Sequence, residues 1–175
     1  EYGCTERILD TLKEKGVHAV FFVTQPYAED NPQLVQRMID EGHTVGNHSV
    51  THPSKGLPSQ TMEQQQQEVM GCHQYVLDHF GYTMHLFRYP TGAFSEQSLA
   101  IVNNCNYKSV FWSFAYLDYD VNNQPDQTQS LQKLVDRMHP GAIYLLHAES
   151  ETNTAILGSF IDQAKAAGYS LEAFD

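Results

Sequence analysis

Thr44-Val45-Gly46-Asn47-His48-Ser49-Val50-Thr51-His52-Pro53 is the stretch on which the reading of this chain turns. Thr44-Val45-Gly46 has the composition of a short strand that ends in a glycine, and two histidines come after it, four residues apart. On one helical turn that spacing brings both imidazoles to the same face, where they can meet one cation. Neutral imidazole is a common metal ligand, and sites of this kind add carboxylate oxygens and water. Pro53 stops a helix from continuing, so the pair is expected on a short, fixed loop. Loops at the C-terminal ends of strands are where α/β folds gather their sites. With nine histidines in the chain, the spacing alone carries little weight.

The 175 residues suffice for one domain with a substantial core. The formal net charge is −11 and the basic residues form no cluster. That argues against nucleic acid and against an anionic membrane surface as partners, and leaves a neutral sugar open. Cys4, Cys72 and Cys105 give no disulfide framework and no zinc-knuckle spacing. Cys72 falls on the apolar side of a helical pattern, as an inert buried thiol would. No stretch approaches the roughly 20 apolar residues of a membrane span. The chain opens at Glu1, not Met, so the lack of a targeting signal says nothing about destination.

Working outward, helix and strand alternate along the whole length. A helix capped by Thr5 carries Ile8, Leu9 and Leu12 and ends at Gly16. Val17 to Val23 is an apolar run suited to a strand buried on both faces. Asn31-Pro32 starts a second helix, which ends at Gly42. Met62 to His79 is a longer helix with Val69, Cys72 and Val76 on one side. His85 to Arg88 reads as a strand, Ser95 caps a helix bearing Leu99 and Val102, and Tyr107 to Ser113 is again a strand. An acidic, amide-rich loop through Asp118 and Asp120 precedes a helix from Leu131 to Met138. Ala142 to Leu146 is expected as a strand ending at His147, followed by a helix from Thr152 to Ala167 and a closing strand from Tyr169 to Phe174. Such alternation is the signature of βα units with parallel strands. A fold of strand-then-helix units that opens on a helix is expected to have a first strand before Glu1.

His48, His52, Arg88, Asp118 and His147 each fall just past a predicted strand, which in a parallel sheet puts their loops on one face. Each also has a plain structural reading. Arg88 can be a surface arginine and Asp118 a solvated carboxylate, and His147 closes a buried strand. Trp112 is expected in the core. His18, His43, His73, His79, His85 and His139 have no partner pattern and are expected to be structural or solvated.

Together these residues resemble a known family. His48-Ser49-Val50-Thr51-His52-Pro53 is similar to the metal-binding motif of the polysaccharide deacetylases with a NodB-homology domain, carbohydrate esterase family four. Arg88-Tyr89-Pro90-Thr91-Gly92 resembles their arginine-proline motif, Asp118-Tyr119 their aspartate-tryptophan motif, and Leu145-Leu146-His147 their final leucine-x-histidine. Val45 to Ser49, Phe111 to Ala115 and His139 to Ile143 resemble most the delta-lactam-biosynthetic de-N-acetylases of peptidoglycan.

The resemblance covers essentially the whole chain. It implies an α/β fold, a distorted (β/α) barrel of the NodB-homology type lacking its first strand. It also implies metal-dependent hydrolysis of the acetamide of N-acetylated sugars in peptidoglycan, N-acetylmuramic acid foremost. His48 and His52 would hold a divalent cation, zinc in many members, with cobalt or manganese as alternatives. His147 would be the general acid, oriented and tuned by Asp118. The Thr91 N–H would help stabilise the oxyanion, Leu145 would line the acetyl pocket, Tyr89 and Tyr119 would contact the glycan, and Arg88 would hold the catalytic aspartate. The implied location is extracytoplasmic, at a bacterial cell wall.

The family's opening threonine-phenylalanine-aspartate-aspartate-glycine motif is not in the sequence. Glu1-Tyr2-Gly3-Cys4-Thr5 matches the family's residues immediately downstream of that motif, which puts the start of the chain just after it. The missing residues include the general base and, in most members, the carboxylate ligand of the metal, so weak metal binding is expected. Tyr119 stands where tryptophan is usual, and Tyr89 and Thr91 also depart from the pattern, leaving the exact sugar open. The competing readings are a non-catalytic glycan-binding remnant of the same fold, and a deacetylase acting on chitin or xylan.

Overall fold

The structure is a computed structural model and describes residues 3–175. Glu1 and Tyr2, part of the expected match at the start of the chain, lie outside the described residues. The chain resolves into two compact units. One takes the N-terminal segment as far as Ala19 together with Trp112–Ala173; the other takes Val20–Phe111 with Phe174–Asp175.

The second unit is built on four parallel strands in the order β1-β2-β3-β4: β1 (Val20–Val23), β2 (Thr44–Asn47), β3 (Leu86–Arg88) and β4 (Lys108–Val110). Their register sets Phe22 beside Gly46 and Asn47 beside Phe87. Helices α2 (Gln25–Asp30), α3 (Pro32–Asp40), α4 (Met62–Phe80) and α5 (Glu96–Asn104) connect the strands. Val69, Cys72 and Val76 of α4 are fully buried, the face its periodicity predicts. Burial pushes the Cys72 thiol up to about 12, so it stays protonated and inert, as expected. Thr61 and Ser95 cap α4 and α5 through reciprocal capping boxes.

The first unit holds α1 (Cys4–Lys15), α6 (Gln127–Asp136) and α7 (Glu151–Ala166). Leu134, Ile156 and Phe160 form its buried centre, with Phe114, Tyr144 and Leu146 packed around them.

The architecture is the α/β class with parallel pairing that the alternation predicts. Several elements differ in detail. Thr5 does not cap α1: Gly3 occupies that position and Thr5 is buried inside the helix. Helix α2 is an addition to the elements expected from the sequence; its proline, Pro26, lies at the start of the helix, where its missing N–H costs nothing. Ala142 to Leu146 is not a strand but carries a single parallel bridge, Phe114 to Tyr144. Tyr169 to Phe174 forms no strand. Trp112 is only half-buried, outside the core.

Candidate functional site

β2 delivers His48 into a loop, not onto a helical turn, so the expected geometry of the pair is reached by another route. Ser49 (φ 76) and His52 (φ 50) both take left-handed backbone, which side chains other than glycine adopt only when their surroundings hold them there. The holding groups are specific. Buried Asn47 accepts the Ser49 N–H at 2.8 Å and donates through Nδ2 to the Val69 carbonyl at 2.8 Å. Ser49 Oγ accepts the His52 N–H at 3.1 Å. Glu68, from α4, accepts the Thr51 N–H at 2.8 Å and the Thr51 hydroxyl at 2.6 Å. The two imidazoles end 4.8 Å apart between ring centroids, at 73° to each other.

His48 is buried and His52 exposed. His48 Nδ1 lies 2.7 Å from the Arg88 carbonyl. A carbonyl only accepts, so Nδ1 carries the proton and Nε2 the lone pair, the arrangement a metal-bound imidazole requires. The pair therefore fits a divalent cation as two of its donors. Among the described residues, no three or more His, Cys, Asp or Glu side chains stand together as a full donor set.

Arg88 closes β3, its guanidinium 5.2 Å from the Phe22 ring centroid. The next residues form a single 3-10 turn, Pro90–Gly92, with Thr91 exposed at φ 60. Tyr89 is 1% exposed, stacked on Phe111 and hydrogen-bonded to Ser109 at 3.0 Å. The structure thus packs it in the core beneath the Thr91 turn.

In the other unit, Asp118 is completely buried. Its Oδ1 accepts His147 Nδ1–H at 2.6 Å and its Oδ2 accepts the His147 backbone N–H at 2.8 Å. A carboxylate facing Nδ1 fixes the proton there and leaves Nε2 as the reactive nitrogen. The Tyr119 ring, 53% exposed, stands 5.5 Å from the His147 ring. Leu145 is half-buried, its N–H bonded to the Phe114 carbonyl at 2.9 Å. The structure thus couples Asp118 to His147, and separately His48 to His52 and to Arg88.

A family model described as polysaccharide deacetylase matches residues 2–110. The chain belongs to this family. The peptidoglycan-N-acetylmuramic acid deacetylase PdaA of Bacillus subtilis is 40% identical over all of this chain and 66% of that relative's length. Its solved structure, that of a family 4 carbohydrate esterase, superposes with a TM-score of 0.92 at 39% identity, covering 99% of this chain and 74% of that one. A family 4 pseudoenzyme from Bacillus anthracis, in a mutant form with restored enzymatic activity, gives 0.90 at 25% identity, over 98% of this chain and 61% of that one. The family match thus contains the histidine pair and the arginine-proline turn; Asp118 and His147 fall in the part covered by the relatives.

Three contributors escape a reading by motif. Asn47 sits inside the quoted stretch, but its role lies in bonds to distant backbone. Glu68 and Asn153, which also reaches Asp118, stand within helices where nothing local separates them from solvated polar residues. The one signal for Asn153 is its place three residues after Ser150, the cap of α7.

Proposed function

We propose that this chain is the hydrolytic core of a metal-dependent peptidoglycan N-deacetylase acting on N-acetylmuramic acid at the cell wall. The observation that carries the reading is His147, held by buried Asp118 in the Nδ1–H tautomer. The similarity to the muramic acid deacetylase over the whole chain supports the choice of substrate.

His48 and His52 would hold the cation, zinc foremost. The chemistry it supplies when bound is polarisation of the acetamide carbonyl and activation of water. The rest belongs to the chain. His147 in its charged form donates its Nε2 proton to the departing amine nitrogen and returns to the neutral Nδ1–H form, so that acetate and a free amino sugar leave. Asp118 keeps the ring aimed and stabilises it while charged. The Thr91 N–H, presented by a left-handed turn, donates to the developing oxyanion. Tyr119 and Leu145 border the sugar and its acetyl group. Arg88 would anchor a general-base carboxylate of the kind the family's opening motif carries.

The test is acetate release from purified peptidoglycan by the protein at its full natural length, with zinc, cobalt or manganese supplied. Mass spectrometry of the digested glycan then identifies the sugar deacetylated. Deacetylated muramic acid, lost in His147→Ala and His48→Ala, is the expected result. Release only from chitin or xylan would move the substrate. Glycan retention without acetate from any substrate would replace the enzyme with a binding module.

A further inference from the structure

We propose that Asn153 is a positioning residue of this reaction: its amide locks the Asp118 carboxylate and, through it, the orientation and tautomer of His147. The role rests on the deacetylase reading; the contacts that define it do not.

Asp118 is wholly buried, so each oxygen needs hydrogen-bond donors in place of water. Its side chain receives three. Two come from His147 itself, the group Asp118 is meant to hold, through Nδ1 and the backbone N–H. The third is Asn153 Nδ2, 2.6 Å from Oδ2. Among the described residues, Asn153 is therefore the one donor to that carboxylate from outside the pair. Without it, Oδ2 keeps only the His147 backbone N–H, so the carboxylate, and the imidazole bound to Oδ1, lose one of the two bonds that fix that side.

The amide's direction is itself determined. Asn153 Nδ2 faces two acceptors, Asp118 Oδ2 and the His147 carbonyl at 3.1 Å. Oδ1 accepts from the Tyr116 hydroxyl. A flipped amide would set its oxygen against a carboxylate and a carbonyl at once. Burial holds the Tyr116 phenol above its ordinary pKa, which keeps it protonated and a donor.

The backbone of Asn153 is fixed as well. Its N–H is accepted by Ser150 Oγ at 3.1 Å, in the first turn of α7. Ser150 Oγ in turn donates to Gln124 Oε1 at 2.7 Å, and Gln124 Nε2 donates to the Asp118 carbonyl at 3.0 Å. Side chain and backbone of Asp118 are thus tied to the start of one helix by separate routes. Aspartate has the same shape as asparagine but presents a second carboxylate where a donor is needed; alanine presents nothing.

The experiment uses 15N-histidine-labelled protein, wild type and Asn153→Ala, Asn153→Asp and Tyr116→Phe, read by NMR and by acetate release. The wild type should show His147 as a single Nδ1–H tautomer with a slowly exchanging, downfield proton. In Asn153→Ala that proton should exchange faster and the tautomers mix. Its kcat should fall about 10- to 100-fold with KM little changed, because Asn153 touches no substrate. Asn153→Asp should lose at least as much despite its shape, and Tyr116→Phe, which releases the amide, should be intermediate. A His147 spectrum and kcat unchanged in both Asn153 variants would overturn the proposal, as would a lower Tm with neither moved. A wild type that releases no acetate sinks the deacetylase reading, while the tautomer measurement still decides whether Asn153 positions the pair. If Asn153→Ala does not fold, Asn153→Asp and Tyr116→Phe carry the decision.

Discussion

A single carboxylate on α4 governs the histidine loop from a distance. Glu68 is nearly buried and spends both oxygens on Thr51, between the two imidazoles in sequence. Bonds of this charge-assisted kind contribute about 1.5–3 kcal/mol each, and an abandoned partner is costly when desolvated. Glu68→Ala leaves the Thr51 N–H without its acceptor and frees a loop that runs through two left-handed residues. The variant should unfold at lower urea, by about 2–3 kcal/mol, with an unchanged m-value. Titration calorimetry should also show zinc affinity reduced about 10- to 100-fold, as when an outer-shell partner is lost. Glu68→Gln, which keeps one acceptor, should fall between. Unchanged zinc binding in Glu68→Ala would separate the loop's conformation from its ligand role.

Among the elements, β2 is the one whose sequence demands its neighbours. A Cβ placed on Gly46 would lie 2.6 Å from two carbons of the Phe22 ring, closer than any real contact, and 3.3 Å from the Leu86 carbonyl. The ring lies across the strand because nothing projects there, and the Arg88 guanidinium rests on that ring. Gly46→Ala should therefore cost about 1–3 kcal/mol by urea denaturation, as overpacking does. It should also displace Arg88, visible as a shift of its guanidinium resonance. Much of this unit was legible beforehand, because a short strand before the histidine pair, a capped helix with one apolar face and a proline that starts a helix are all local signals, although β2 runs one residue past the expected glycine, to Asn47. The left-handed residues at 49, 52 and 91 were not; at 49 and 52 they depend on bonds made through Asn47, Ser49 and Glu68, which no local preference contains. Nor was the fate of Ala142–Leu146 and Tyr169–Phe174. Both runs have strand composition, but a strand is defined by the edge it pairs with, which composition does not contain. The paired carboxylate and imidazole of Asp118 and His147 were reached through the family's motifs, whereas Asn153, joined to them only by folding, was not.

At the scale of the whole molecule, the response to acid just below neutral pH includes a contribution from one hydrogen-bond chain. Asn47 Nδ2 donates to the Tyr107 hydroxyl at 3.1 Å, so that hydroxyl directs its own hydrogen at His73 Nδ1, 2.6 Å away. His73 must then be neutral at Nδ1, because a proton there would face the hydrogen of the phenol. Burial, and then the charge of His85, hold His73 below its ordinary 6.5. Unfolded chains take up that proton near 6.5 while the folded protein resists it. Stability from this group is therefore complete above that pH and is lost as pH falls through the window beneath it. Two other acid effects can be set apart. Glu151, held down chiefly by its hydrogen bond from Arg7, loses its contribution only below its ordinary 4.5. The net charge of −11 shrinks as pH approaches 5.1, which relieves repulsion and acts in the opposite direction. The comparison that isolates His73 is the urea midpoint of wild type and His73→Gln at a series of values between about pH 8 and pH 5. The wild type should lose stability more steeply than the variant below 6.5, and the two slopes should agree above it. Parallel curves throughout would mean that His73 accepts its proton without breaking the Tyr107 bond. The strand end that Asn47 anchors, with the histidine loop beyond it, would then be insensitive to this titration.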